Sequence, residues 1–355
     1  MGADAADATD DDDGQPGDKM YKRIGESRSK IWLLLDADRR LVAGIGLALV
    51  FVAFLVAGVA DPAPLRQAMA TNDPIETLFE EYVAAVITGV TLVLTLNQLI
   101  LSQELGAVGD QRERMEGAME FREDVEDAID APISPPEPAA FLRAIIDVTQ
   151  TRAEELREAV ADCEDDQLER RTEEYVDSLV DNAEAVGERL EGEQFGSFAV
   201  LFAALDFNYS WKIYEARRLR NEYADSLTDE TEAAFDAIGE ALEFFGPARE
   251  HFKTLYFQWE LADLSRLMLY SAVPAVLVTS LMVIYVDNPG TITGDLLGVD
   301  NLVWTVSAAA VVALLPFMLL LSYILRIVTV AKRTLSIGPF ILRETDRTED
   351  INWDE

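Results

Sequence analysis

Four runs of 20 or more residues without a single charge, Leu41–Ala60, Tyr82–Gln103, Leu267–Val286 and Leu302–Leu325, dictate most of what this chain can fold into. At about 1.5 Å of rise per residue, 20 helical residues cover roughly 30 Å, the thickness of a bilayer core. No water is available there to satisfy a free backbone amide, so each run is predicted to cross as a helix. The expected fold class is therefore all-α, with four transmembrane helices.

The remaining length falls mostly in one place. Residues 104–266 separate the second and third runs and are rich in Glu, Asp, Arg and Ala. Apolar positions recur there at helical spacing. Leu142, Ile146, Thr149, Ala153, Leu156, Val160 and Cys163 form one stripe, and Val176, Leu179, Ala183, Val186 and Leu190 form a second. A third helix is expected over Phe198–Tyr223. A fourth starts at Asp229, read as an N-cap with Glu232 three residues on, and buries Phe235, Ile238, Leu242 and Phe245. The second span is expected to run on to about Asp130, where Ala131–Pro138 stops it. No hairpin signal interrupts this pattern, so the block reads as a helical bundle or coiled hairpin inserted between spans two and three. Cys163 continues an apolar stripe and reads as a packed small residue.

The flanks assign sides. Residues 1–18 are an acidic tail of disordered composition, and residues 19–40 are a basic segment with Trp32 at the interface. Lys19, Lys22, Arg23, Arg28, Lys30, Arg39 and Arg40 precede span one, and Arg326, Lys332 and Arg333 open the tail 326–355. The loop Asp61–Glu81 holds only Arg66, and Asp287–Asn301 holds no basic residue. The positive-inside rule then puts both termini and the block 104–266 in the cytoplasm of a multi-pass protein of the cell membrane.

The formal charge is −36, from 65 acidic and 29 basic residues. No basic face stands ready to neutralise phosphates, so nucleic acid is not an expected partner. Nor is there a phosphate-binding glycine loop, a dinucleotide fingerprint or a nucleophile elbow. One cysteine and one histidine, His251, leave no zinc motif. No cofactor or metal is expected, and the chain reads as non-enzymatic.

Three groups of side chains stand out. Thr88, Thr91, Thr95, Gln98 and Ser102 follow one another at steps of 3 and 4, so they share one face of span two. That face reads either as a seam for helix packing or as the lining of a pore. Pro274 and Pro316 lie inside spans three and four as candidate kinks. Lys212, Arg217, Arg218 and Arg220 form the dense basic cluster of the block, a candidate anion or partner patch. In span one, Gly44 and Ala48 are spaced to let another helix approach closely.

The excess of Asp and Glu with only six Lys resembles the proteins of salt-accumulating haloarchaea. Two spans, a helical cytoplasmic insertion, two more spans and both termini inside resemble the bestrophin family of anion channels in topology. That resemblance implies an oligomeric channel lined by span two. It does not extend to motifs: span two reads VTLVLTLNQL where bulky gates would stand, and RTLSIGPFILRE follows span four in place of an acidic calcium clasp. The expected function is a scaffold or sensor acting through the cytoplasmic block, with an ion channel as the alternative. The expected partners are the lipid bilayer, further copies of the chain and a cytoplasmic protein.

Overall fold

A computed structural model describes residues 32, 37–60, 65–161, 163, 165–192, 198–288 and 290–333. The acidic tail 1–18, most of the basic segment 19–40 and residues 334–355 lie outside the described residues. The described chain is almost wholly helical: α1 Arg39–Ala60, α2 Leu65–Asn72, α3 Pro74–Glu104, α4 Val108–Ala128, α5 Pro138–Ala161, α6 Asp166–Leu190, α7 Phe198–Asp206, α8 Tyr209–Glu222, α9 Asp229–Tyr285 and α10 Asn301–Arg333. Among the described residues, four helices are long and apolar enough to cross a membrane: α1, α3, α9 and α10. They mark a membrane-embedded protein.

The chain forms two compact units, and each has its own core. Arg112–Tyr256 belong to a helical unit, and Trp32–Gln111 with Phe257–Lys332 to a unit containing the apolar helices. Helix α9 contributes residues to both.

In the helical unit the two sequence stripes meet. Leu142, Ile146, Ala153, Leu156 and Val160 of α5 pack with Val176, Leu179, Ala183, Val186 and Leu190 of α6, and Phe235, Ile238, Leu242 and Phe245 of α9 join the same core. Cys163 is half-buried, its sulfur 3.5 Å from the Thr231 hydroxyl. Helix α6 starts at a side-chain cap: the Asp165 carboxylate accepts from the amides of Gln167 and Leu168.

The helices differ from the expected ones at three boundaries. The second span does not continue to Asp130; it stops at Glu104, and α4 restarts at Val108 after Leu105, Gly106 and Ala107. The expected helix over Phe198–Tyr223 is two helices with a corner at Phe207 and Asn208. There the Asn182 side chain donates to the Asp206 carbonyl at 3.1 Å and accepts from the Asn208 amide at 3.2 Å. One amide group thus replaces bonds that a continuous helix would make itself, and it turns Phe207 inward onto Phe245. Thirdly, α9 is capped one residue earlier than expected, by the Thr228 hydroxyl accepting from the Thr231 amide at 3.1 Å.

In the other unit, the expected loop Asp61–Glu81 is largely helical. Pro74 opens α3 at a first-turn position that needs no amide donor. Ile75 and Phe79 are buried with Met69, Met282, Leu302 and Val306. A small hairpin, absent from the sequence reading, pairs β1 Asp295–Leu296 with β2 Val299–Asp300. Its two turn residues, Leu297 and Gly298, both have positive φ, the conformation of a tight two-residue turn. Close helix approach occurs at Gly46, beside Met318, and at Gly58, where a Cβ would overlap the Val303 side chain. Gly44 instead faces open space.

Candidate functional site

The second span has two contrasting faces, set by a turn of about 100° per residue. Val86, Gly89 and Val93 point inward: Val86 packs with Ala272 and Ala275, and Val93 with Leu264 and Met268. Gly89 leaves room for the Phe317 ring, only 3.5 Å from where its Cβ would stand. Thr88, Thr91, Thr95, Gln98 and Ser102 lie roughly opposite and are all exposed at the surface of the protomer.

Most of that polar face is chemically quiet. The hydroxyls of Thr88, Thr91 and Thr95 donate to the carbonyls of Ala84, Ile87 and Thr91 at 2.8–2.9 Å, and Ser102 donates to Leu99 at 2.6 Å. Back-bonding of this kind lets a hydroxyl sit in lipid at small cost. Gln98 has no hydrogen-bond partner in the protomer among the described residues. Its neighbour Asn97 behaves differently, donating to the Ser265 hydroxyl of α9 from the inward face. The side chain that ties span two to span three is therefore Asn97, which carries no part of the outward pattern.

Two charged clasps flank the apolar helices, and neither is visible in local sequence. At one end Arg66 of α2 forms a bidentate pair with Asp300 and also donates to the Ile292 carbonyl at 2.6 Å. The guanidinium holds the Asp300 carboxyl below its usual range, aided by the Leu302 amide. At the other end Arg326 of α10 lies 3.6 Å from Glu260, with both side chains largely buried, and donates to the Ala37 carbonyl at 3.1 Å. A lone Arg in an otherwise acidic loop is the one local signal for Arg66, but its partner lies 234 residues away.

The prolines lie inside unbroken helices: Pro274 within α9 and Pro316 within α10, the latter buried. The basic cluster does not converge. Lys212 is buried and donates to the Ser178 hydroxyl at 2.5 Å, while Arg218 lies 3.6 Å from both Glu215 and Glu222. Arg220 turns toward α9, reaching Glu232 at 2.5 Å and Asp236 at 2.7 Å. Arg217 is exposed. Burial between α6 and α8 pushes the Glu215 carboxyl up, against the pull of Arg218 and Arg171. Among the described residues no group of three His, Cys, Asp or Glu side chains is placed to hold a metal ion.

A family model, described as a family of unknown function (DUF7972), matches residues 5–355. The chain belongs to the DUF7972 family. The match runs through both units and all four apolar helices. No curated protein and no solved structure matches the chain.

Proposed function

We propose that this protein is a non-enzymatic membrane scaffold or sensor that works through its helical unit. In this reading the helical unit and both termini lie in the cytoplasm, on the side marked by the basic flanks of spans one and four. The observation that carries it is the core of the helical unit. Leu142, Leu156, Leu179, Ile238 and Phe245 are essentially inaccessible and pack as one body, so the unit presents a fixed surface. Helix α9 extends from that body into the third span. Site-specific photocrosslinkers on exposed helices of the unit, placed in native cells, should capture the same cytoplasmic protein repeatedly. Adducts confined to lipid and to other copies of the chain would count against the reading.

A second reading, an oligomeric ion channel lined by span two, is favoured by the outward placement of Thr88, Thr91, Thr95, Gln98 and Ser102. A face exposed on one protomer is available to surround an axis between several. Ion flux into liposomes containing the purified protein, altered by Gln98→Leu, would select the channel; no flux in any salt would leave the scaffold.

A further inference from the structure

The helical unit carries a groove of about 540 Å³ between α4, α5 and α9, within the range of clefts that hold ligands. Its lining is mixed, and the apolar part, its floor, is continuous across two helices. Ala237, Ala241 and Phe244 lie at steps of 4 and 3 on one face of α9, and Val148 of α5 completes it. Phe244 is packed edge-on against Phe121 on one side, and it remains only partly covered.

Two acidic rows border this floor. Asp124 and Asp127 stand on α4, and Glu240 and Glu243 on α9, all four exposed. The one cation at the rim, Arg152, is engaged by Glu155 at 2.8 Å. Acidic side chains are everywhere on a chain of charge −36, so the carboxylates alone single out nothing. What differs here is the concavity, and an aromatic ring left partly open between opposed rows of like charge. Like charges gathered around one groove repel one another and add nothing to the protomer's own stability.

We propose that this groove docks a cationic amphipathic helix of a partner protein. Apolar side chains of the incoming helix at i, i+3 or i+4, and i+7 would lie on Ala237, Ala241 and Phe244. Lys or Arg on its two flanks would meet the two acidic rows, the helix-in-groove mode of recognition with charges complementary on both sides. The inference rests on the partner-binding reading above and names the chemistry of the partner.

The test uses the full chain in phosphatidylcholine nanodiscs, with empty nanodiscs as the blank. The probe is a fluorescent 18-residue Leu/Lys peptide whose leucines fall on one helical face, read by anisotropy. A permuted peptide of identical composition, with leucines on all faces, is the comparison. The amphipathic peptide is expected to bind at least tenfold tighter than the permuted one. Glu240→Lys with Glu243→Lys should weaken it at least tenfold, as should Ala237→Trp, which fills the floor without changing charge. A photoreactive group on the leucine face should mark residues 237–244 or 124–128. Equal binding of both peptides, displacement by spermine at equal charge, or no binding at all would overturn the proposal. Binding indifferent to all the substitutions would also overturn it, while leaving the partner-binding reading intact.

Discussion

Arg66 grips Asp300 with two arms of its guanidinium, Nε to Oδ2 and a terminal nitrogen to Oδ1, each at 2.6 Å. The pair joins α2, the short helix after span one, to the hairpin strand before span four. Because Asp300 is held below its ordinary value, the contribution is fully present above the unfolded pKa of about 3.9. It fades as pH falls through the lower folded value. Both side chains are about one-third exposed, so solvent limits the gain to roughly 1 kcal/mol. Asp300→Asn should lower the melting temperature slightly at pH 7 and flatten its decline below pH 4. Equal acid slopes in the two proteins would remove the pair from the account.

Glu215 has the opposite sign. Its folded pKa is raised by burial, so the folded state holds the proton more tightly, and stability falls as pH rises from the unfolded value through the folded one. Glu215→Gln should abolish that fall and raise the melting temperature near pH 7.5 by roughly 2–4 °C, the equivalent of about 1 kcal/mol. Thermal melts at a series of pH values check it; a variant that is less stable at pH 7.5 contradicts the assignment.

Adjacent amides in span two should respond differently. Asn97→Leu removes the bond to Ser265 and should cost about 1–2 kcal/mol in the dispersed protomer. Gln98→Leu should cost close to nothing there. Melting in detergent at low protein concentration, where oligomers are absent, separates them.

Leu156 and Leu179 face each other's helices in a core with no exposed surface at either. Truncation of either to Ala should cost about 2–5 kcal/mol. Hydrogen exchange should show faster exchange across α5, α6 and the first half of α9, with α1 and α10 unchanged.

The proposed orientation has a direct test. With Cys163→Ala as background, Asn288→Cys should react with an impermeant thiol reagent on intact cells, and Arg217→Cys should react only after lysis. The reverse pattern would invert the topology.

What could be read from the chain alone was whatever repeats. Leu142 to Val160 and Val176 to Leu190 keep a helical period over many turns, and every one of those stripe positions is buried. The corner at Phe207–Asn208 was invisible because no proline marks it and its support, Asn182, comes from another helix. Gly106 did mark the end of α3, but the polar residues around it also suit a helix. The helical character of residues 65–81 was hidden because the burial of Ile75 and Phe79 depends on Met282 and Leu302, more than 200 positions away. Long-range pairs such as Arg66 with Asp300 leave no local pattern at all. The outward face of span two was legible as a face; which way it points depends on where spans three and four pack.

The corner held by Asn182 also sets an order of events. Both bonds to its backbone come from Asn182 of α6, and Arg189 of the same helix pairs with the Asp206 carboxylate. Residues 206–208 therefore have no reason to adopt that geometry until α6 is in place. The α7–α8 elbow is then a late-forming joint, assembled on a finished α5–α6 pair. Loosening the Asn182 side chain would free two buried backbone groups at once, so the elbow depends on α6 for its geometry as well as for its burial.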